Sequence, residues 1–189
     1  SAIRKLLYFF PAHLFRKKTI VHFHAFSPDT TIKSKKRWIY RYIFSRSQKV
    51  IVLSESWKET VNNAFSLKNI EVVYNPCSTI INKNEYEKQK HILFAGTINA
   101  RKGYVDMIRA FAKIADKHKD WKIVFAGNGE IEQGMALAKE LGIEKQCVFL
   151  GWVNGDKKDK AFKEASIFCL PSYAEGFPMA VLDAWAYGL

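Results

Sequence analysis

The sequence is poor in cysteine and in long apolar runs, and each absence narrows what the protein can be. Cys77, Cys147 and Cys169 are widely spread, without the spacing of a metal site, and their odd number argues against a disulfide framework. We therefore expect a reducing, cytoplasmic location. The apolar run at residues 6–15 is broken by Pro11 and is shorter than the about 18 residues of a membrane span. No signal peptide is predicted, because the first residues lack its long apolar core.

Acidic residues are scarce in the first quarter of the chain. Residues 1–50 contain 12 lysines and arginines against one acid, Asp29, whereas the rest of the chain is nearly neutral. Aromatic residues are interleaved with these cations: Tyr8, Phe9, Phe10, Phe15, Trp38, Tyr40, Tyr42 and Phe44. This mixture is typical of a segment on anionic lipid headgroups, so we expect residues 1–50 to contact an anionic membrane surface. Nucleic acid would explain the charge equally well, and an ordinary solvated helix face is a third explanation.

Short apolar strands alternate with amphipathic helices along the chain. Strands are predicted at 19–23, 49–53, 71–74, 91–95, 122–126, 147–150 and 167–170. Helices are predicted at 3–16, 34–45, from Ser54 onward, and at about 104–117, 130–141, 157–165 and 178–187. This alternation predicts an α/β fold with parallel, doubly wound sheets. Residues 75–90 are mostly polar and rich in turn formers, so we predict a first lobe at 1–74, a linker at 75–90 and a second lobe at 91–189.

Some residues have specific expected places in these elements. Trp38, Ile39 and Tyr42 are expected to form the inward stripe of the helix at 34–45, and Ile114 to lie on the buried face of the helix at 104–117. Ser54 is expected to cap the N-terminus of its helix, without the acid of a capping box three residues later.

One stretch near the C-terminal end carries the strongest functional signal. The predicted strand 167–170 is closed by a proline, and residues 172–177 lead into an apolar, alanine-rich helix with Pro178 expected in its first turn. In parallel α/β domains ligands bind in the loops after the carboxyl ends of strands, and free N–H groups at a helix start attract anions. Glu175 then stands at the mouth of such a site, with Asp183 about a turn and a half beyond Pro178. As a purely structural residue, Glu175 would be a loop acid stabilised by the helix dipole.

Two further strand-to-helix turns contain glycine. Residues 96–103 include Arg101 and Lys102, adjacent cations that can neutralise a diphosphate, although a solvated turn with ordinary surface cations explains them as well. Gly127 and Gly129 would let a ligand approach the backbone, although any tight turn favours glycine.

A histidine follows the first predicted strand of the first lobe. His24 comes directly after the apolar run 19–23 and shares its facing with His22 by strand alternation. A lone histidine there is more often structural than catalytic, although strand ends in this architecture point into clefts.

Taken together, these motifs resemble the donor-binding lobe of group 1, or family 4, glycosyltransferases. The most specific piece is the run from Glu175 to Asp183, which is similar to the family's motif of Glu, seven residues and Glu. The resemblance also covers residues 96–103, 124–129, 148–151 and 170–174 of the second lobe, and residues 20–24, 50–56 and 73–76 earlier in the chain. It therefore extends over nearly the whole sequence.

The resemblance implies a GT-B glycosyltransferase with two Rossmann-like lobes, retaining and independent of metal or other cofactors. It would move a sugar from a nucleotide-sugar donor to a lipid-linked or polysaccharide acceptor in surface polysaccharide or glycolipid biosynthesis, on the inner face of the cytoplasmic membrane.

Glu175 would contact the donor sugar, and His24 would lie near the sugar and the acceptor, as catalytic residues. The other implied roles are diphosphate binding by Arg101, Lys102, Gly96 and Thr97, nucleotide and ribose binding by Asp183, Gly127, Gly129 and Val148, and backbone contacts to the sugar from Gly176, Phe177 and Pro178.

The sequence departs from the family pattern in three ways. Asp183 replaces the second glutamate and is one methylene shorter, which shortens its reach to a ribose. Thr97 stands where the family usually has an arginine, so one phosphate contact is expected to be missing. The chain begins deep in the first lobe and stops before the last strand of the second, so we expect both lobes to be incomplete and the chain alone to be weakly active or inactive.

Two other functions fit part of the sequence. A basic nucleic-acid-binding module would explain the charge of residues 1–50 but gives no role to Glu175 and Asp183, so nucleic acid is not the expected partner. A non-catalytic nucleotide-binding lobe would accommodate the departures at Thr97 and Asp183.

Overall fold

The computed structural model of the protein describes residues 2–24, 29–77 and 87–189. The chain divides into two compact units, Ser1–Asn75 with Glu175–Phe177 and Pro76–Ala174 with Pro178–Leu189. Each unit has its own parallel sheet with helices, as the α/β class predicts. Residues 78–86, most of the predicted linker, lie outside the described residues, so the linker stays a prediction.

The first unit contains a three-stranded parallel sheet in the order β1-β2-β3. Its strands are β1 (Ile20–His22), β2 (Lys49–Val52) and β3 (Ile70–Val72), with Val50 opposite Val21 on one side and Ile70 on the other. Its helices are α1 (Ala2–Leu14), α2 (Asp29–Ile32), α3 (Arg37–Arg46) and α4 (Glu55–Phe65). The three predicted strands are therefore present; each ends earlier than predicted, and β3 begins one residue earlier.

Aromatic side chains fill the core of the first unit. The Phe23 ring lies 5.4 Å from that of Phe44 and 5.5 Å from that of Trp57, and Phe44 lies edge-on to Phe65 at 5.7 Å. Burial of each such ring contributes about 1.5–3 kcal/mol, and edge-on pairs add to this.

The predicted inward stripe of α3 is wrong at Trp38. Trp38 is 63% exposed, whereas Ile39, Ile43 and Phe44 are buried. The buried residues Ile39, Ile43 and Phe44 lie on one side of the helix. Trp38 points about 100° away from Ile39 around the axis, since successive residues of an α-helix are separated by about that angle. Tyr42 is half-buried, edge-on to Phe9.

The predicted cap of α4 is confirmed. The Trp57 backbone N–H donates to the Ser54 hydroxyl oxygen at 3.2 Å, while Ser54 itself is extended, with φ −159° and ψ 160°. A serine in this geometry satisfies one of the N–H groups that the first helical turn leaves without a backbone partner.

The second unit contains a four-stranded parallel sheet in the order β6-β5-β4-β7. The strands are β4 (His91–Ala95), β5 (Lys122–Ala126), β6 (Cys147–Gly151) and β7 (Ile167–Phe168). The α-helices are α5 (Tyr104–Ala112), α6 (Ile131–Glu140), α7 (Gly155–Glu164) and α8 (Met179–Ala186). Short 3₁₀ turns occur at Ala100–Lys102, Ala115–Lys117 and Glu144–Gln146. The four predicted strand-and-helix pairs are thus confirmed.

One predicted helix is shorter than expected. Helix α5 ends at Ala112, and the backbone leaves the helical path at Ile114, where φ is −122° and ψ is −6°. Ile114 is consequently 45% exposed, so its predicted burial is wrong.

Helices cover both faces of the second sheet. Phe94 and Phe125 point to the side that also buries Ile108 and Phe111 of α5, and their neighbours Leu93 and Val124 point to the side of α7 and α8. Because β4 and β5 are parallel, with Ala95 opposite Ala126, their carboxyl ends lie at the same edge of the sheet, followed by the glycine loops. Among the described residues, no helix combines the length and the apolar character needed to cross a bilayer.

Candidate functional site

The loops that follow β4 and β5 touch backbone to backbone. The Gly96 N–H donates to the Ala126 carbonyl at 3.0 Å, and the Ile98 N–H donates to the Asn128 carbonyl at 2.8 Å. A Cβ on Gly127 would lie 1.9 Å from the Gly96 oxygen, and one on Gly129 would lie 2.2 Å from the Ile98 oxygen. Glycine is therefore needed at both positions because any side chain would collide with the loop after β4, whether or not a ligand binds.

A cavity of about 310 Å³ opens where these strands end, and we call it the strand-end cavity. It is lined by three residues that the sequence predicted, Gly96, Gly127 and Asp183, and by three prominent side chains that it missed, Trp152, Lys158 and Phe162. Its position at the carboxyl ends of parallel strands is where this architecture binds ligands.

Lys102 lies beside this cavity. Residues Ala100–Lys102 form a 3₁₀ turn whose start is capped by Asn99, which accepts a hydrogen bond from the Lys102 N–H at 3.1 Å. A Cβ on Gly96 would lie 3.7 Å from Lys102 Cε and 3.9 Å from its Nζ, so the lysine side chain runs along the glycine. The structure thus brings together two of the four predicted diphosphate residues. Thr97 is exposed in the same loop.

Arg101 joins this turn to the loop that carries Glu175. Its Nη1 donates to the Ala174 carbonyl at 2.5 Å, and its own carbonyl accepts from the Tyr173 N–H at 2.9 Å. The Tyr173 hydroxyl in turn donates to Asp106 Oδ2 at 2.5 Å, which raises the pKa of Tyr173. Sequence reasoning found Arg101 as a cation but missed that it anchors this loop.

The turn at 96–103 also packs tightly on the end of β7. Gly103 has φ +74°, and a Cβ there would lie 2.1 Å from the Pro171 oxygen. Next to it, the Tyr104 hydroxyl donates to Glu130 Oε2 at 2.9 Å, and burial together with this bond raises the pKa of Tyr104 to about 12. Tyr104 therefore stays protonated at physiological pH and ties the start of α5 to the loop after β5.

Helix α8 begins one residue later than predicted. Pro178 occupies the N-cap with φ −74° and ψ 103°, so it precedes the first turn instead of lying in it, as its extended ψ requires. It has no side-chain hydrogen-bond acceptor to offer the first-turn N–H groups. Glu175, Gly176 and Phe177, just before it, are half-buried and belong to the first unit.

Asp183 is held by a lysine of helix α7. Lys158 Nζ lies 2.7 Å from Asp183 Oδ2, and the Asp183 side chain is only 20% exposed. The Lys158 ammonium also lies 5.7 Å from the centre of the Phe162 ring. No sequence signal distinguished Lys158 from the other lysines of α7, because only the fold shows which of them faces the cavity.

The charged groups around the strand-end cavity suit an anionic, hydroxylated ligand. Lys102 beside Gly96 and Lys158 in the cavity wall supply cations, and Asp183 supplies a carboxylate that can accept hydrogen bonds from hydroxyl groups. Within residues 2–24, 29–77 and 87–189, no cluster of three or more histidine, cysteine, aspartate or glutamate side chains could hold a metal ion.

Val148 does not line the strand-end cavity. It lies near the start of β6, opposite Val124, and faces a separate cavity of about 510 Å³ whose wall includes His91 and Lys122. Because only residues at or beyond the carboxyl ends of the strands reach the first cavity, Trp152 and Val153 line it instead. The structure thus separates Val148 from Gly127, with which the sequence had grouped it.

His24 lies in the first unit, just after β1. Its ring is 4.4 Å from that of His22 and nearly perpendicular to it, as strand alternation predicted. Burial and the neighbouring His24 lower the pKa of His22. The residues that follow, 25–28, lie outside the described residues.

Comparison with known proteins gives a consistent result. The family model described as glycosyl transferases group 1 matches residues 78–189. An uncharacterized glycosyltransferase of Haemophilus influenzae is 35% identical over 146 residues, which are 75% of this chain and 40% of that protein. A lipopolysaccharide 1,6-galactosyltransferase of Salmonella typhimurium is 29% identical over 184 residues, 92% of this chain and 50% of that protein.

A solved structure confirms the fold class. The crystal structure of Anabaena Alr3699/HepE in complex with UDP superposes with a TM-score of 0.82 and covers 100% of this chain and 56% of that one, at 15% identity. The prediction of two Rossmann-like units, as in the GT-B architecture, is therefore confirmed. The chain spans about half the length, or less, of the curated relatives that it matches. By the family match over residues 78–189 and its agreement with these relatives, the chain belongs to the glycosyl transferases group 1 family.

Proposed function

We propose that the chain is part of a retaining, metal-independent glycosyltransferase that moves a sugar from a nucleotide-sugar to a lipid-linked or polysaccharide acceptor. Family membership supports sugar transfer, and the Salmonella relative acts on lipopolysaccharide by its name. The Anabaena structure with UDP supports a nucleotide-sugar donor. Surface polysaccharide or glycolipid assembly is the process that these names favour.

One observation carries the proposal: a lysine lies against the glycine at the carboxyl end of β4, beside a cavity that Asp183 lines. The Lys102 ammonium along Gly96 can neutralise a diphosphate, while the Asp183 carboxylate can accept hydrogen bonds from ribose hydroxyls. The backbone groups of Gly127 and the uncapped start of α8 add N–H donors near the same edge. Arg101 supports this site by anchoring the neighbouring loop, and its guanidinium adds positive charge next to Lys102.

The reaction follows from these groups. The bond between the sugar's anomeric carbon and the phosphate oxygen breaks, and the electron pair leaves with the nucleotide diphosphate, whose added charge Lys102 and the helix N–H groups stabilise. The acceptor hydroxyl attacks the oxocarbenium-like carbon from the same face, and its proton passes to the departing phosphate oxygen. In this proposal Glu175 orients or stabilises the sugar with the backbone of Gly176, Phe177 and Pro178, and His24 acts near the acceptor.

The test is a glutamate substitution with separate readouts for binding and turnover. A thermal-shift panel of UDP, GDP and ADP first identifies the nucleotide, because a ligand at about 100 times its Kd adds about 2.7 kcal/mol to the free energy of unfolding. In the full-length protein that contains this chain, Glu175→Gln should then lower release of sugar from the matching nucleotide-sugar by at least about 100-fold while nucleotide affinity changes little. EDTA should leave turnover unchanged.

The matched control is Glu132→Gln on α6, an exposed acid away from the cavity. It should behave as the unaltered chain. Normal turnover in Glu175→Gln would refute the catalytic role of Glu175. Nucleotide binding without any turnover in the full-length protein that contains this chain would favour a non-catalytic lobe, and no binding of any nucleotide would refute the proposal.

The first unit supports a place at the membrane surface. Helix α1 exposes Leu7 and Tyr8, at 68% and 78%, close in sequence to Arg4 and to the cations at 16–18. Apolar groups flanked by cations favour the interface of an anionic bilayer. Lys5 is different, because its ammonium lies over the rings of Phe23 and Tyr40 and its pKa is lowered by burial. We therefore assign the lipid contacts to Leu7, Tyr8 and the exposed cations.

A further inference from the structure

Helix α7 directs one of its lysines into the strand-end cavity. Lys158 and Asp183 both line the cavity, and the ammonium lies 2.7 Å from the carboxylate oxygen Oδ2. Lys160, two residues later, pairs instead with Glu164 at 3.7 Å and lines the separate cavity that contains Val148. The two lysines thus have similar sequence surroundings and different partners.

Lys158 is supported by packing between α7 and α8. Its ammonium lies over the Phe162 ring, and the Tyr187 ring also stacks on Phe162, with centroids 5.2 Å apart. The Tyr187 hydroxyl donates to Asp159 Oδ1, so the end of α8 is bound to the same turn of α7 that carries Lys158. The lysine and the aspartate therefore belong to two helices held in fixed register.

An aspartate at this place has a short side chain with two rotatable bonds, and its carboxylate can face several directions. A charge-assisted hydrogen bond to Oδ2 selects one of them, so Oδ1 is the oxygen that a ligand in the cavity lined by Asp183 would meet. Partial burial strengthens this effect, because the ion pair is shielded from bulk solvent on the side of Phe162.

We propose that Lys158 is the positioning residue for ribose recognition: it holds Oδ2 of Asp183 so that Oδ1 accepts a hydrogen bond from a ribose hydroxyl of the nucleotide. This inference rests on the proposed function, since it concerns the same donor site. In this proposal Lys158 acts through Asp183, the carboxylate that its ammonium contacts. The diphosphate is left to Lys102, which lies beside Gly96.

The experiment compares ribose selectivity in four variants of the 189-residue chain. Lys158→Gln, Lys158→Arg, Asp183→Asn and Lys160→Gln are titrated with whichever of UDP, GDP or ADP binds the unaltered chain, and with its 2′-deoxy and 3′-deoxy forms. The unaltered chain should prefer the ribonucleotide over one deoxy form by about tenfold or more, as expected for loss of a hydrogen bond to a charged acceptor. Lys158→Gln and Asp183→Asn should reduce this preference to less than about threefold, whereas Lys158→Arg and Lys160→Gln should keep it.

A second readout separates positioning from phosphate binding and from folding. The preference for the nucleoside diphosphate over the monophosphate should be unchanged in Lys158→Gln, and thermal unfolding without nucleotide verifies that each variant is folded. If Lys158→Gln keeps its ribose preference, or loses diphosphate preference instead, the positioning role is overturned. If Lys158→Gln does not fold, the Lys158→Arg variant decides, since loss of its ribose preference would overturn the proposal. Binding of no nucleotide by the unaltered chain would overturn the proposed function itself, and with it this inference.

Discussion

The two units differ most in how their glycines and exposed apolar residues are distributed. Residues 1–95 contain no glycine, and all ten glycines of the chain lie from Gly96 onward. In the first unit, α1 instead exposes Leu7 and Tyr8, and Phe15 just after it is exposed too, within the most basic part of the sequence. The second unit brings Gly96 and Gly127 into backbone contact at the edge of its sheet.

This difference indicates two ways of making a binding surface. Gly127 and Gly129 let the loops after β4 and β5 approach at distances that a Cβ would prevent. Apart from Gly176, the first unit contains no glycine, and α1 exposes apolar side chains instead. The second unit can offer backbone N–H groups at the ends of its strands, which is what a phosphate or a sugar requires. The contrast therefore predicts that nucleotide binding and membrane binding can be lost separately.

The largest expected effect is that of Gly127→Ala. Its Cβ would lie 1.9 Å from the Gly96 oxygen, a backbone atom that cannot move without separating the loops after β4 and β5. We expect a loss of about 3 kcal/mol in the free energy of unfolding, at the upper end of overpacking, and loss of nucleotide binding. Urea unfolding and nucleotide titration measure these effects, and vesicle binding should be unchanged.

Gly142→Ala is the matched control for this variant. Gly142 has φ +70°, but no atom lies within 4 Å of the position that its new methyl group would occupy. Only backbone strain of about 1–2 kcal/mol is therefore expected, with normal nucleotide affinity. Gly127 itself does not have a positive φ, so equal losses in the two variants would mean that the contact between the loops costs no more than ordinary backbone strain.

The fold was predictable from local patterns. All seven strands appear within a few residues of their predicted places, because runs such as residues 91–95 and 122–126 are apolar, short and bounded by turns. The wrong predictions concern where a helix ends and which of its side chains face the core. Trp38 and Ile114 were both assigned to buried faces. Ile114 is exposed because α5 ends before it, and Trp38 because the core packs on the side of α3 that carries Ile39 and Ile43.

The site was predictable only in part. The glycine turns and Asp183 were found because close backbone approach and strand-end loops leave a signal in the sequence, and the structure places Gly96, Gly127 and Asp183 around one cavity. Lys158 could not be found, since helix α7 carries four lysines and only the packing of α7 on α8 selects the one that meets Asp183. Val148 was grouped with these residues but lines a separate cavity, because strand length decides which end of β6 reaches the strand-end cavity. Its role in nucleotide binding stays a prediction.

The next largest effect is expected for Leu7→Gln in the first unit. Leu7 is exposed on α1, and glutamine preserves helix propensity while removing the apolar contact with lipid. Full burial of a leucine side chain contributes about 1.5–3 kcal/mol, so partitioning onto phosphatidylglycerol-containing vesicles should weaken by about tenfold or more. Binding of the unaltered chain should also fall with salt, because exposed charges are screened within about 10 Å at about 0.1 M.

Met135→Gln is the control in the second unit, since Met135 is an exposed, unbranched apolar residue of α6. It should leave vesicle binding unchanged, and neither variant should alter nucleotide affinity. Equal weakening by both substitutions would mean that general hydrophobicity, and not the first unit, governs membrane contact. Salt-insensitive binding would contradict the electrostatic part of the proposal.

The smallest expected effect compares one helix cap in each unit. Ser54 accepts a hydrogen bond from the Trp57 N–H at the start of α4, whereas in the described structure the Asn154 side chain at the start of α7 makes no such bond. Ser54→Ala should therefore lower the free energy of unfolding by about 1 kcal/mol, which for a chain of this size lowers Tm by about 2–4 °C. Asn154→Ala should lower the free energy of unfolding by less than about half of that. Calorimetric unfolding of both variants at one pH measures the difference. A larger loss at Asn154 would show that its side chain caps α7 in solution, and that the two units begin these helices in the same way.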